Sequence, residues 1–461
     1  MTVLSEIGLL LDKVKKIHFI GIGGAGMCPL AEILHDKGYK ITGSDNNESE
    51  TLSRIRALGI PVVLGQKSEN IIGAEMIVFT AALLDDNPEL CAAKASGTPT
   101  FERAKLFGEI SRRYKNCIGI SGTHGKTTVS AMLTEIFIGA ELSPSAVIGG
   151  KLPLTGTNGI VGNGEILVCE ACEFVDTFLE LYPDVSVILN IDSDHLDYFK
   201  TVDNLVLSFS KFANMATRCV IYNGDDAHTL TAVAGIKNKK MLSFGLDESN
   251  NCYANNIKMH KAFPEFDCYY NNSLLGTVKL NVPGMHNVYN ALAAILSALE
   301  TGADFEHCQR ALEVFSGAGR RFEVLGCFKG ITIADDYAHH PKELTVTLEA
   351  AMLMEYKRVW AVFQPFTFSR TSMLLNDFAT ALKIPTKVVL SEVMGSREVN
   401  TYHVYSSQLA EKIPGSVWFK TFEEVADYVV DNAEEGDLVI TLGCGDIYKA
   451  AKMMITKLTS A

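Results

Sequence analysis

Seven consecutive residues, Gly122-Thr123-His124-Gly125-Lys126-Thr127-Thr128, carry the sharpest chemical signal in the chain. The backbone N–H groups of a glycine loop can wrap phosphate oxygens, a lysine ammonium can reach the outer phosphates, and a threonine hydroxyl can hold Mg²⁺. ATP is the expected ligand. The loop departs from the strict phosphate-binding pattern, whose first glycine would fall at Ile120, flanked here by Gly119 and Gly122. A second glycine turn, Gly21-Ile22-Gly23-Gly24-Ala25-Gly26, fits G-x-G-x-x-G, and Asp45 stands 19 residues beyond Gly26. Such glycines let the backbone approach a pyrophosphate at a helix N-terminus, and a carboxylate at that distance can accept a ribose hydroxyl. The fingerprint suits NAD and other nucleotide diphosphates equally, and a packing turn without a ligand is the alternative.

Acidic groups could complete a metal site. Glu170-Ala171-Cys172-Glu173 follows the apolar run 166–168, and Asn190-Ile191-Asp192-Ser193-Asp194-His195-Leu196-Asp197 follows the run 185–189. Acids just past strand ends stand where α/β sheets bind ligands, and Mg²⁺ needs only one or two protein oxygens. Helix caps or surface turns are the structural alternative for both segments. Arg320 and Arg321, beside Gly319, form a candidate phosphoryl clamp, because a planar guanidinium fork matches phosphate geometry. Asp335-Asp336-Tyr337-Ala338-His339-His340-Pro341 gathers titratable groups at the end of another apolar run, better suited to polar substrate contact than to metal binding. Cys169 and Cys172 form a C-x-x-C, but no second pair stands near enough to complete a four-ligand zinc site.

Positioning these groups requires strands that end in loops and helices that follow them. An apolar strand over 17–22 leads into the first glycine turn, a helix near 27–37 and a strand over 39–42. A strand over 117–121 leads into the second loop and a helix over 126–139. Beyond residue 322 the rhythm restarts, with strands expected over 330–334, 358–363, 387–390 and 437–442. Repeated strand, turn, helix and strand predict parallel, doubly wound sheets. The fold class expected is α/β: a Rossmann-like N-terminal domain over 1–107, a central P-loop-type ATPase domain over 108–321 and a Rossmann-like C-terminal domain over 322–461. The full 461 residues agree with about three domains at roughly 150 residues each.

Composition narrows the partners. A formal charge of −13 argues against a nucleic-acid polymer or an anionic membrane surface, both of which need a basic face. Glu6 and Asp12 interrupt the opening segment and no run approaches the roughly 18 apolar residues of a membrane span, so no signal peptide or membrane insertion is expected. Eleven scattered cysteines fit reduced thiols, and the cytoplasm is the expected location.

Together the segments resemble the Mur ligases over nearly the whole chain: HFIGIGGAGM and ITGSD near the start, DNPE at 86–89, GTHGKTT, EACE, NIDSDHLDYF, PGMHNVYNALAA at 283–294, GAGRRFE, DDYAHHP, FQPFTFSRT and TLGCGDIY. They are most similar to the members that join L-alanine to UDP-N-acetylmuramate with ATP and Mg²⁺; the nearest alternative attaches a recycled tripeptide to the same sugar. The resemblance implies that Gly23, Gly24, Ala25 and Gly26 bind the UDP-sugar diphosphate, with Ser44 and Asp45 near the uridine ribose. It implies ATP and Mg²⁺ at Lys126 and Thr127, metal ligation by Glu173 and His195 with Glu170 in reserve, and adenine contacts from Asn287 and Asn290. Arg321 is expected at the γ-phosphate, Asp336 at the ATP ribose, and His339, His340 and Arg370 on the amino-acid side. A monomer or a dimer is expected. Two positions depart from the family pattern: Gln66 and Phe366 each stand where relatives carry a histidine.

Overall fold

The structure, a computed structural model, describes residues 5–152, 154–396 and 398–460. Its chain divides into two compact units, one of Met1–Asn255, Asp267–Thr277 and Tyr289–Leu312, the other of Asn256–Phe266, Val278–Val288 and Glu313–Ala461.

The first unit opens on five short strands, β1 (Lys16–Ile20), β2 (Lys40–Asp45), β3 (Val62–Leu64), β4 (Met76–Phe79) and β5 (Thr100–Glu102). They form one sheet in the order β3-β2-β1-β4-β5, with every pairing parallel. β1 and β4 are buried along nearly their whole length, as the central strands of a parallel sheet are. The strand order reverses between β1 and β4, which opens a crevice at their carboxyl ends, and the first glycine turn leaves β1 there.

A second sheet follows, built from β6 (Asn116–Ser121), β7 (Ser145–Leu152), β8 (Thr157–Ile160), β9 (Ile166–Glu170), β10 (Val185–Ile188), β11 (Cys219–Asn223), β12 (Lys240–Gly245), β13 (Cys252–His260), β14 (Phe263–Tyr270) and β15 (Ser273–Lys279). Its order is β15-β14-β13-β12-β11-β10-β6-β9-β7-β8, and β11, β10, β6, β9 and β7 run parallel. The loops that leave β6, β9 and β10 therefore emerge at one carboxyl edge. The helix Lys126–Gly139 lies where the sequence places it, and Glu170 is the last residue of β9 rather than a residue beyond it. In the core of this unit Phe178 stacks on Phe212 at 4.7 Å and meets Phe209 edge-on at 5.3 Å. β14 alternates between buried and partly exposed positions, and β13 is buried over its first three residues and then alternates between partly exposed and exposed ones; the sequence analysis places no element over either strand.

The second unit holds a sheet of β16 (Glu323–Phe328), β17 (Ile331–Asp336), β18 (Val359–Phe363), β19 (Lys387–Ser391), β20 (Val417–Phe419) and β21 (Leu438–Leu442), in the order β16-β17-β21-β18-β19-β20. Only the leading strand β16 is antiparallel to its neighbour. Apolar clusters cover both faces, one around Phe363 and Phe378 and the other around Trp360 and Met454. Beside β18 and β21, buried Asp437 accepts from the Arg358 guanidinium at 2.6 Å and from the Trp360 indole at 3.0 Å. The three sheets are three α/β layers, and among the described residues no helix is long and apolar enough to cross a membrane.

Candidate active site

The first glycine turn is held from β2. Gly21 and Ile22 donate their N–H groups to the Ser44 carbonyl at 2.8 and 3.0 Å, and Gly23 donates to Asp45 Oδ2 at 3.0 Å. Asp45 Oδ1 accepts from the Asn46 and Asn47 backbones. The turn needs glycine where it passes its neighbours, since a Cβ on Gly23 would lie 2.9 Å from Asp45 Oδ2. Ser44 is fully buried and its hydroxyl donates inward to Glu89, so its side chain does not face the strand edge as Asp45 does. Arg103, which the sequence analysis does not single out, has its guanidinium 2.9 Å from where a Cβ on Gly26 would stand. Only its place could have marked it: the start of the helix Arg103–Arg112, directly after β5, at the carboxyl edge of the same sheet. A cavity of ≈ 280 Å³ is lined by Gly24, Ala25, Gly26, Arg103, Gly149 and Glu170.

Glu170 and Glu173 sit beneath the second glycine loop. The Thr127 hydroxyl donates to Glu170 at 3.0 Å, and the Gly149 N–H donates to the same carboxylate at 2.7 Å. Lys126 Nζ lies 2.9 Å from Glu173 Oε2 and donates to the Gly122 and Thr123 carbonyls at 2.5 and 3.2 Å. Burial works to lower the Lys126 pKa, but the charge and hydrogen bond of Glu173, with help from Cys172 and Glu170, hold it above its ordinary value. The ammonium therefore stays charged at neutral pH. Glu173, preferred from sequence as a metal ligand, is the lysine's partner here, whereas Glu170, held in reserve, is the carboxylate beside Thr127. Thr127 and Glu170 offer hard oxygen donors of the kind Mg²⁺ takes, and a magnesium ion keeps several waters, so few protein ligands suffice. Among the described residues no three His, Cys, Asp or Glu side chains group to hold a metal on their own.

Asn190 shapes the loop as much as any residue in it. Its side chain accepts from the His124 N–H at 2.8 Å and donates to the His124 carbonyl at 3.1 Å, while its own carbonyl accepts from the Thr123 N–H. Gly125 has a φ of +88°, and a Cβ there would lie 2.5 Å from Asn290 Oδ1. Asn290 thus stands beside the loop, and Asn287, in the other unit, donates to the Pro283 carbonyl at 2.7 Å. Gly125→Ala is expected to raise the KM for ATP about tenfold, because L-residues resist a left-handed φ and the methyl would displace Asn290. An ATP titration of initial rates checks this.

His195 follows Asp194, which accepts its N–H at 2.8 Å, and its ring lies 4.8 Å from that of Phe174, next to Glu173. The segment is strained: Val175, Asp176 and His195 all have positive φ, and Tyr198 donates to Asp176 at 2.9 Å across the two turns. The C-x-x-C does not act as a pair. Cys169 is buried 3.7 Å from Cys117, whereas Cys172 is exposed.

In the second unit the two adjacent arginines have different surroundings. Arg320 donates to Asp335 at 2.8 Å and to the Gly443 carbonyl at 2.6 Å. Both guanidinium groups lie over the Tyr337 ring, Arg320 at 5.0 Å and Arg321 at 5.2 Å, but only Arg320 has these further ties. Arg320 and Phe322 have φ of 60° and 50°, so consecutive side chains leave the chain in different directions. Asp336, at the end of β17, accepts from the Phe322 and Ala338 N–H groups, both at 2.7 Å. His340 caps the helix Pro341–Met352 by accepting from Lys342, and Glu343 accepts the N–H groups of both His339 and His340. Arg370 lies in the short helix Phe368–Met373, and burial raises the Cys444 thiol to about 12 against the pull of Arg370 and Arg320.

Burial pushes Asp336 up from 3.8 to about 6, against the pull of Arg321 and the two N–H groups. A carboxyl whose folded pKa is raised keeps its proton where the unfolded chain has lost it, so stability falls as pH climbs between the two values. The difference in melting temperature, wild type minus Asp336→Asn, should therefore fall between pH about 4 and about 6 and level off above. A difference that rises over that range in a thermal-shift series would contradict it.

Three family models match the chain: "Mur ligase family, catalytic domain" over 16–115, "Mur ligase middle domain" over 120–298 and "Mur ligase, glutamate ligase domain" over 320–445. The chain is 41% identical over 452 residues to a UDP-N-acetylmuramate–L-alanine ligase of Caldanaerobacter subterraneus, covering 96% of this chain and 98% of that one. It is 42% identical over 449 residues to the ligase of the same name from Agathobacter rectalis, with 96% and 98% covered. Among solved structures, the UDP-N-acetylmuramate–alanine ligase of Thermotoga maritima superposes with a TM-score of 0.83 at 27% identity, covering 96% of this chain and 99% of that one. A murein peptide ligase of Psychrobacter arcticus shares the fold at a TM-score of 0.75 and 22% identity, with 97% and 99% covered.

Proposed function

This chain belongs to the Mur ligase family, and from that premise we propose that it joins L-alanine to the lactyl carboxylate of UDP-N-acetylmuramate at the expense of ATP, in peptidoglycan precursor synthesis. The observation that carries the reading is a single cavity lined both by the glycine turn at Gly24–Gly26 with Arg103 and by Glu170 beside Thr127. One end suits a diphosphate and the other suits the phosphoryl end of ATP.

The chemistry asks for these parts. A carboxylate is a poor acyl donor because its leaving group would be oxide. The γ-phosphoryl group of ATP is transferred to the lactyl carboxylate and ADP leaves; the neutral amine of alanine then attacks the acyl carbon, the bond to phosphate breaks, and the amide forms as phosphate leaves and the amine gives up a proton. Lys126, kept charged by Glu173, neutralises charge on the outer phosphates, and the loop N–H groups orient them. Thr127 and Glu170 would hold Mg²⁺, with Glu173 and His195 as the further ligands that the family pattern implies; bound there, the ion screens the phosphate oxygens. Arg321 is the proposed cation for the transferred phosphoryl group, Asp336 the acceptor for the ATP ribose, Asn287 and Asn290 the adenine contacts, and His339, His340 and Arg370 the polar groups on the amino-acid side. Residues 1–107, 108–321 and 322–461 would serve the UDP-sugar, ATP and alanine, in a cytoplasmic monomer or dimer.

A phosphate-release assay with UDP-N-acetylmuramate and ATP, run against alanine, glycine, serine and the tripeptide, tests the reading. Alanine-dependent release is expected. Release with the tripeptide and none with alanine would overturn it.

A further inference from the structure

The segment Asn87-Pro88-Glu89 takes no part in the chemistry above. Glu89 has no exposed surface at the start of the helix Pro88–Ala95, and both of its carboxyl oxygens have partners. Its Oε1 lies 2.7 Å from His18 Nε2, and its Oε2 accepts from the Ser44 hydroxyl at 2.7 Å and the Asn70 amide at 3.2 Å. The other ring nitrogen of His18 lies 2.8 Å from Thr42 Oγ1. A buried polar network of this kind is often no more stabilising than apolar residues of the same volume, so its place in the fold has to be sought in what it positions.

The partners point to one place. His18 is on β1, and Thr42 and Ser44 are on β2, in the register His18↔Thr42 and Ile20↔Ser44. The Ser44 carbonyl takes the N–H groups of Gly21 and Ile22, and the next carboxylate, Asp45, takes that of Gly23. A displacement of residue 44 would therefore move the first three residues of the glycine turn together. Asn87 works at the same strand edge: it caps its own helix by accepting from Glu89 and Leu90, and it donates to Gln66 Oε1 at 2.6 Å, which also accepts from Asn46. Gln66, one of the two departures from the family pattern, is thereby built into the support of β2.

We propose that Glu89, paired with His18 and anchored on Ser44, is a positioning residue for the diphosphate of the nucleotide sugar, acting by fixing β2 and through it the path of the glycine turn. The inference rests on the reading of that turn as the UDP-sugar site. It separates Glu89 from a merely structural acid, because a support of the turn acts on one substrate and leaves the other alone.

Steady-state kinetics and melting temperatures of Glu89→Gln, Ser44→Ala and the double variant test it. Each single change is expected to raise the KM for UDP-N-acetylmuramate about tenfold, with kcat and the KM for ATP within about twofold of wild type. The double variant should be no worse than the poorer single one, since both cut the same link. Ser44→Ala removes one hydroxyl and keeps the test open if Glu89→Gln does not fold. Lower melting temperatures with an unchanged KM for the nucleotide sugar would overturn the inference alone. Wild-type protein that fails to bind UDP-N-acetylmuramate in calorimetry would overturn the reading of the turn, and this inference with it.

Discussion

Lys126→Ala is expected to abolish ligation, lowering phosphate release in the presence of UDP-N-acetylmuramate and alanine by roughly three powers of ten or more. The ammonium sits between the Gly122 and Thr123 carbonyls and the Glu173 carboxylate, at the start of the helix that follows the loop. Its loss also leaves Glu173, only 2% exposed, as a buried charge without its partner, which costs about 3–5 kcal/mol in comparable cases. Melting temperature must therefore be followed beside activity, and Lys126→Ala, Glu173→Gln restores the charge balance without restoring the ammonium. The double variant should regain stability and stay inactive. Turnover within about tenfold of wild type in either variant would remove Lys126 from the mechanism.

Arg321→Ala is expected to lower kcat by about three powers of ten while changing the KM for ATP far less, as for a cation that acts chiefly on the transferred phosphoryl group. Arg320→Ala serves as the contrast. Its guanidinium is committed to Asp335 and the Gly443 carbonyl, so its loss should lower the melting temperature, having removed a tie between β17 and the loop after β21. Arg321 shares the Tyr337 ring with Arg320 and lies within the field of Asp336, but makes no such tie to Asp335 and Gly443. A kcat for Arg321→Ala within about tenfold of wild type would exclude the clamp.

Net charge was a narrower guide than it first looked. The surplus of 13 negative charges argues against polymers that need a broad basic face, but not against nucleotides, which on the proposed reading need only a few local groups: glycine N–H donors, Lys126, Arg103 and Arg321.

How much could be read from the chain alone depended on distance along it. Both glycine loops, Asp45 at the end of β2 and the helix Lys126–Gly139 were legible, because strand, turn and helix start within a few residues of one another and leave a local pattern. The family followed from the order of many such segments. What only the tertiary structure decided is which way side chains turn and whom they meet. Sequence ranked Glu173 above Glu170 for the metal, yet the pleat of β9 and the turn after it set Glu170 beside Thr127 and Glu173 beside Lys126. Sequence placed Ser44 with the ribose, whereas alternation along β2 sends its hydroxyl into the sheet toward Glu89, 45 residues away. The resemblance already placed Arg321 at the phosphate; what the structure adds is that Arg320 is tied to Asp335 and the Gly443 carbonyl, through left-handed backbone at Arg320 and Phe322 that no residue type announces. Partnerships of this kind join groups far apart in sequence and are settled by the pleat, the packing and the cost of burying an unpaired charge, and none of these leaves a spacing to be read.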